Sequence, residues 1–117
     1  MPRTLSSELI FTGTGLHSGA TGTVIVSPLE KEGLYFSTEN GLYPLSLAQI
    51  EEDSRLTGFS LPDGTRIRTA EHLLAAIVGM DIDSALIKLQ GEEVPILDGS
   101  PYPFAAAFAE VGTREFG

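Results

Sequence analysis

The chain has 117 residues, a length typical of one domain, and no cysteine, which excludes disulfides, thiolate metal ligands and thiol nucleophiles. Sixteen acidic residues against seven basic ones give a net charge of −9, which argues against nucleic acid as a partner because polyphosphates bind to basic surfaces. The chain has no apolar run of membrane-spanning length and no signal-peptide core, so we expect a soluble protein of the cytoplasm.

The first two-thirds of the chain is typical of β-structure broken by glycine-rich turns. The predicted strands are Leu5–Phe11, Thr21–Ser27, Gly33–Ser37, Leu56–Leu61 and Thr65–Arg68. Between the last two, Pro62–Gly64 predicts a turn, because proline presets φ and glycine accepts a positive φ. Residues Ser46–Asp53 are expected to form a short turn of helix.

A helix is predicted next, running from Ala70 to about Val78, with Thr69 as its N-cap and Gly79 at its end. A strand follows, with Ala85, Ile87 and Leu89 on one face, and then a second short strand at Val94–Leu97.

The last predicted helix begins after Ser100, which is expected to cap it. Pro101 and Pro103 lie in its first turn, and it ends near Val111, before Gly112. Strands followed by two helices predict an α+β fold. We expect a two-layer sandwich in which a mixed, mostly antiparallel sheet carries both helices on one face, as a single domain over residues 1–117.

Both helices lack the polar face of an ordinary surface helix. Leu73–Val78 is six apolar residues in a row, and Phe104–Ala109 is apolar all round. We expect a partner layer over them, supplied by another domain, a subunit or a second copy of this chain. The alternative is that the small alanines simply face solvent.

The residues that could carry chemistry are the two histidines, His17 and His72, and Glu71. Glu71 and His72 are in the first turn of the predicted helix, where the helix field favours an ionised carboxylate and a neutral imidazole. These are the forms of a general base and a metal ligand. The pair alone is a weak signal, since glutamate is common in a first turn and a zinc site needs three protein ligands.

Two other segments favour structural interpretations. Thr12–Gly19 is rich in glycine, but no lysine completes a phosphate-binding loop, so a hairpin connection is the better interpretation. Asp98 fits a turn or capping acceptor better than a catalytic acid.

Four segments nevertheless resemble, in the same order, the signatures of one enzyme family. Gly13–Gly19 resembles a Gly-x-Gly-Leu-His-Ser-Gly loop, and Arg68–Ala76 is similar to a Thr-Val-Glu-His-Leu-Leu-Ala-Ala helix. Gly79–Ala85 resembles Gly-Leu-Gly-Ile-Asp-Asn-Ala, and Glu93–Ser100 is close to Glu-Ile/Val-Pro-Ile-Leu/Met-Asp-Gly-Ser. The chain thereby resembles the zinc-dependent UDP-3-O-acyl-N-acetylglucosamine deacetylases of lipid A biosynthesis in Gram-negative bacteria.

The resemblance implies hydrolysis of the acetamide on the glucosamine 2-nitrogen of a UDP-sugar lipid, with release of acetate. It implies that Glu71 is the general base and that His72 is a ligand of catalytic Zn²⁺. His17, together with Leu16, is expected to line or support the site.

The resemblance covers only the first of the family's two related domains. The second supplies a His-x3-Asp pair that completes the zinc site, and the sequence ends at Gly117, about where that domain should begin. We therefore expect the remaining ligands from a second domain or chain, packed helix layer to helix layer.

Two interpretations of another class stay open. One is a non-catalytic module that keeps the fold and forms a homodimer through its helix layer, in which case polar substitution at Leu74 or Phe108 should abolish the dimer. The other is a module that binds a nucleotide-sugar without chemistry, which the negative charge and the lack of a basic cluster disfavour.

Overall fold

A computed structural model of the protein describes residues 1–52, 57–91 and 93–117, with the backbone alone at positions 51, 52 and 57. These residues form ten β-strands in two sheets and two α-helices, and the predicted α+β class is confirmed. The strands are β1 (Arg3–Leu5), β2 (Leu9–Thr14), β3 (Thr21–Ser27), β4 (Gly33–Thr38), β5 (Gly41–Pro44), β6 (Gln49–Glu52), β7 (Thr57–Ser60), β8 (Arg66–Arg68), β9 (Ser84–Gln90) and β10 (Thr113–Glu115). The helices are α1 (Glu71–Gly79) and α2 (Tyr102–Val111), and a 3-10 helix (Leu45–Leu47) follows β5.

Strand β9 lies in the middle of the larger sheet. It pairs antiparallel with β3, and parallel with β4 and with β1. Strands β2, β5 and β10 extend this sheet through antiparallel pairs with β3, β4 and β1. The sheet is therefore mixed and mostly antiparallel, as predicted. Among the described residues, no helix is long and apolar enough to span a membrane.

Alternation along the central strands buries one face of this sheet. Val24 and Val26 of β3 and Ala85 and Ile87 of β9 are at most 1% exposed, and Leu89 at the end of β9 is half-buried. Because successive side chains of a strand point to opposite faces, these apolar positions line one surface. The predicted inward face of β9 is confirmed.

Both helices pack on this buried face. Phe104 and Phe108 of α2 are fully buried, and their ring centroids lie 4.8 and 6.1 Å from the ring of Phe11 on β2, in edge-to-face geometry. Leu73 and Ile77 of α1 are buried in the same core. Truncating a buried phenylalanine of this kind to alanine costs about 3–5 kcal/mol, so the two rings of α2 are a major part of the packing.

A second, three-stranded antiparallel sheet, β6-β7-β8, was not expected from the sequence. It corrects the prediction of helix at Ser46–Asp53: within the described part of that range, up to residue 52, the only helical turn is the end of the 3-10 helix at Leu45–Leu47. Residues Gln49–Glu52 instead pair with β7, because backbone pairing with a neighbouring strand outweighs weak local helix preference. Asp53 and Leu56, at the ends of two predicted elements, lie outside the described residues.

The predicted turn between β7 and β8 is confirmed. Gly64 has a φ of +89°, its N–H donates to the Leu61 carbonyl at 2.9 Å, and the Leu61 N–H donates to the Thr65 carbonyl at 2.9 Å. Strand β3 has its predicted bounds, β4 ends one residue later than predicted and β8 begins one residue later. The predicted strand Leu5–Phe11 is instead two strands, because β1 pairs with β9 and β10 whereas β2 pairs with β3.

The start of α1 differs from the prediction. Ala70, not Thr69, is the N-cap residue, and no side chain caps the helix. Thr69 has a left-handed φ of +58°, and its hydroxyl bonds elsewhere. The end at Gly79 is as predicted.

Two details near α2 also differ. Val94–Leu97 is not a strand: residue 93 forms one parallel bridge with Arg68, and the Ile96 N–H donates to the Thr14 carbonyl at 3.0 Å. Pro101, not Ser100, is the N-cap of α2, although the Ser100 hydroxyl accepts from the Tyr102 N–H at 3.2 Å.

The end of α2 and the turn before it are as predicted. The helix ends at Val111, and Gly112 follows with a φ of +81°. Asp98 is a turn acceptor, since its Oδ1 accepts from the Ser100 N–H at 2.9 Å and from the Ser100 hydroxyl at 2.7 Å.

Candidate functional site

Glu71 and His72 form the first turn of α1. The Glu71 side chain is exposed and that of His72 is half-buried, whereas Leu73 beside them is 1% exposed. Glu71 is followed at helical spacing by Ala75 and Val78, both exposed, so these three positions form the solvent-facing stripe of α1. The carboxylate and the imidazole therefore lie at the uncovered edge of the helix layer and not in the core.

The glycine-rich segment connects β2 and β3 as a hairpin, as predicted. The Gly15 N–H donates to the Ala20 carbonyl at 2.9 Å, and the Gly19 N–H donates to the Gly15 carbonyl at 3.1 Å. We call residues 15–20 the hairpin loop. It exposes the side chains of Leu16 and His17.

Glu93 ties this loop to the residue before α1. Its carboxylate accepts hydrogen bonds from the His17 N–H, at 3.0 Å to Oε1 and 3.1 Å to Oε2, and from the Ser18 N–H at 2.7 Å. The Thr69 hydroxyl donates a short hydrogen bond to Glu93 Oε2. Glu93 is only 3% exposed, so this is a buried charge with three donors around it.

The hydrogen bonds keep the buried carboxyl ionised at neutral pH. Burial raises the pKa of Glu93, but hydrogen bonds from Thr69, Ser18 and His17 lower it by more, so that the pKa lies below the ordinary value of 4.5. Donors to a carboxylate stabilise its charged form, whereas a low dielectric favours the neutral acid. In Glu93 the effect of the donors on the pKa exceeds that of burial.

Two glycines leave the space that Glu93 occupies. A Cβ added at Gly15 would overlap Glu93 Oε1 and approach the Ser18 hydroxyl to 2.6 Å. A Cβ added at Gly22 would come within 2.6 Å of the Glu93 carbonyl oxygen. Any larger residue at either position would have to displace the glutamate or the loop, since contacts below 3.0 Å are essentially never seen.

Thr69 adopts a backbone conformation that β-branched residues rarely adopt. A φ of +58° costs about 1–3 kcal/mol in a residue other than glycine and is held only where the surroundings determine it. The surroundings here are the hydrogen bond to Glu93 and burial, with 2% of Thr69 exposed. Thr69, which is two residues before Glu71, is thus hydrogen-bonded to Glu93.

The structure therefore links the segments that carry the predicted site residues. The hairpin loop with Leu16 and His17 is connected through Glu93 and Thr69 to the start of α1, where Glu71 and His72 lie. Sequence reasoning assigned no role to Glu93. The available signal was the glutamate pair at positions 92 and 93 directly before the apolar run Val94–Leu97, since a charge that is buried requires nearby donors.

The described residues contain no group of three or more histidine, cysteine, aspartate or glutamate side chains that could hold a metal ion. A zinc site needs three protein ligands. One imidazole beside one carboxylate, both at an accessible helix start, fits part of such a site. His72 could supply one ligand of such a site from α1, and the described residues do not bring two more beside it.

Comparison with known proteins identifies the family that the four sequence motifs resemble. Residues 2–117 match the family described as UDP-3-O-acyl N-acetylglycosamine deacetylase, LpxC. Among curated proteins, the chain is 42% identical to a UDP-3-O-acyl-N-acetylglucosamine deacetylase of Myxococcus xanthus, over 97% of this chain and 37% of that protein. Proteins of the same name from Synechocystis and Shewanella piezotolerans are 40% and 36% identical, each over 97% of this chain and over 43% and 39% of their own lengths.

The chain thus spans about two-fifths of the length of these relatives. The match nevertheless covers every segment that forms the candidate site, from the hairpin loop to Glu93. The chain therefore belongs to the UDP-3-O-acyl N-acetylglycosamine deacetylase family.

Proposed function

We propose that residues 1–117 form the first domain of a zinc-dependent deacetylase. Its substrate is UDP-3-O-acyl-N-acetylglucosamine, and a second domain or chain supplies the remaining zinc ligands. The observation that carries the proposal is the position of Glu71 and His72, adjacent in the first turn of α1 and accessible from the uncovered side of the helix layer. The family match supports the same reaction class.

The reaction is hydrolysis of an amide, in which water adds to the acetyl carbon, the C–N bond breaks, and acetate and a free amine leave. Zinc, when bound, supplies a Lewis acid that polarises the carbonyl and makes water acidic enough to lose a proton near neutral pH. The Glu71 carboxylate would take that proton as general base. The His72 imidazole would hold the cation, and adjacent helical positions would let the two side chains border one reacting water from different directions.

The exposed surface of the helix layer supports a covering partner. Val78 of α1 is 70% exposed and Tyr102 of α2 is 73% exposed, and Ala106 and Ala109 of α2 are exposed as well. This apolar surface adjoins Glu71 along the exposed stripe of α1. A second domain packed on it would bring its own ligands to the open side of His72.

The proposal is tested in a chimaera that joins residues 1–117 to the part of the Myxococcus xanthus relative that the chain does not cover. Acetate release from UDP-3-O-acyl-N-acetylglucosamine and bound zinc per chain are measured. We expect about one zinc and clear activity. Glu71→Gln should lower kcat by more than about 100-fold with zinc retained, since a general base contributes about 10²–10⁴, and His72→Ala should lose the zinc.

Glu39→Gln is the matched control, because Glu39 is an exposed glutamate between β4 and β5, outside the two helices. It should leave both zinc and activity unchanged. A wild-type chimaera that binds no stoichiometric zinc would contradict the metal assignment, and a Glu71→Gln enzyme with undiminished kcat would contradict the general-base assignment.

The same apolar surface favours one second candidate, a non-catalytic module that self-associates through its helix layer. Its test must avoid Phe108, because that ring is fully buried and a polar side chain there would disrupt the core. Leu74 is half-buried, so Val78 is the better probe. A stable dimer of the wild-type chain that Val78→Glu makes monomeric would favour this candidate, and a wild-type monomer in solution would contradict it.

A further inference from the structure

We infer that Glu93 is a positioning residue of the candidate site, holding the main chain of the hairpin loop against the start of α1 so that the His17 side chain is presented there. The consequence for activity rests on the proposed function. The positioning itself is a property of this chain. No direct contact of Glu93 with a substrate is involved.

Donors from distant parts of the chain converge on Glu93. His17 and Ser18 direct two successive backbone N–H groups at the Glu93 carboxylate, and Thr69 adds its hydroxyl from the other side. These donors are separated from Glu93 by 76, 75 and 24 positions along the chain. A buried carboxylate requires hydrogen-bond partners, so the loop and the residue before α1 are held in one arrangement.

The residues around Glu93 leave room for its side chain and carbonyl. Gly15 and Gly22 each leave space that a single methyl group would fill. Thr69 is held at a φ of +58°, although a β-branched residue there is strained. Backbone strain maintained by a specific hydrogen bond is a feature of functional sites.

The His17 side chain stays accessible although its backbone is held. Glu93 binds the backbone of His17 and not its imidazole, and the His17 side chain is exposed. The loop therefore has a fixed main chain and an exposed histidine side chain, and Glu93 connects it to Thr69, two residues before Glu71.

The first experiment uses the 117-residue chain and measures amide hydrogen exchange by NMR. Glu93→Gln keeps the size of the side chain but removes its charge, and we expect exchange at the His17 and Ser18 amides to accelerate at least about tenfold. Asp63→Asn is the matched control, since Asp63 accepts hydrogen bonds in another hairpin, and it should leave these two amides unchanged. Thr69→Val, which removes one donor, serves in its place if Glu93→Gln does not fold.

The second experiment is a double-mutant cycle on kcat/KM in the chimaera described above. Glu93→Gln and His17→Ala should each lower kcat/KM, and the double variant should be no worse than His17→Ala alone. Two residues that act through one another give such non-additive effects, whereas independent contributions multiply.

The two experiments distinguish the positioning role of Glu93 from the proposed function. Unchanged exchange at His17 and Ser18 overturns the positioning role, and so does faster exchange combined with multiplicative losses in kcat/KM. An inactive wild-type chimaera overturns the proposed function, and the exchange measurement then decides by itself whether Glu93 holds the loop.

Discussion

Two carboxylates in this protein, Glu93 and Asp63, each accept several hydrogen bonds, but their surroundings differ. The Asp63 carboxylate accepts from the Thr38 hydroxyl at 2.7 Å, the Thr65 N–H at 2.9 Å and the Asn40 side-chain amide at 3.1 Å. It thereby joins the β4–β5 hairpin to the turn before β8. Hydrogen bonds from Thr38 and Thr65 hold the pKa of Asp63 well below its ordinary value of 3.8.

The difference between the two lies in burial. Asp63 sits in a turn that is only half-buried, so water can replace its partners when the carboxylate is removed. Glu93 is 3% exposed and is enclosed by Gly15, Gly22 and Thr69, so water has poorer access to its carboxylate. An unsatisfied donor costs most where water cannot reach it. The same hydrogen-bond pattern therefore closes a surface turn at Asp63 and fixes a site loop at Glu93.

The sharpest test of this contrast is truncation of each carboxylate. Glu93→Ala should lower the free energy of unfolding by about 2–3 kcal/mol, because it leaves the buried Thr69 hydroxyl and two partly buried backbone N–H groups without their acceptor. Asp63→Ala should lower it by less. Denaturant unfolding of both variants measures the difference, and equal losses would contradict the assigned role of burial.

A smaller loss of stability is expected when the space beside Glu93 is filled. Gly15→Ala should lower the free energy of unfolding by about 2 kcal/mol, since the new methyl overlaps the carboxylate. Gly79→Ala is the control, because a Cβ at Gly79 meets nothing within 4 Å; it should leave stability unchanged or raise it by up to about 1 kcal/mol. Equal melting temperatures for Gly15→Ala and Gly79→Ala would contradict the close approach of residue 15 to the Glu93 carboxylate.

The pH dependence of stability gives a finer comparison. The pKa of Glu93 is lowered in the folded state, so the stability its charge contributes is fully present above about pH 4.5 and is lost as the pH falls through the folded pKa. The difference in unfolding free energy between wild type and Glu93→Gln should therefore narrow below pH 4.5. For Asp63→Asn the narrowing should begin only below about pH 3.8. A difference independent of pH in either variant would contradict its lowered pKa.

The smallest effect on stability is predicted for the exposed face of α1. Val78→Glu should change the free energy of unfolding of the chain by no more than about 0.5 kcal/mol, because the side chain is 70% exposed. In the chimaera it should nevertheless weaken zinc binding, since the covering layer would meet a buried charge. Leu42→Glu, on the β4–β5 hairpin and 54% exposed, is the control that should leave zinc binding intact.

Local patterns in the sequence were enough for much of the fold. The alternation of β3 and β9, the turn at Gly64, and the end of α2 before Gly112 were predicted because each depends on a few adjacent residues. The hairpin between β2 and β3 followed from its glycines for the same reason. The short strands β5, β6 and β10 were missed, since three- or four-residue strands depend on their pairing partners and carry little pattern of their own.

The candidate site likewise contains residues that the sequence predicted and residues whose contribution only the tertiary structure decided. Glu71 and His72 were found from the sequence because adjacent residues at a helix start stay adjacent in the fold, and the assignment of their roles remains a prediction. The contribution of Glu93 and the left-handed conformation of Thr69 were decided only by tertiary structure. The donors to Glu93 lie 24 to 76 positions away, and no local pattern records which backbone groups will converge on a buried charge.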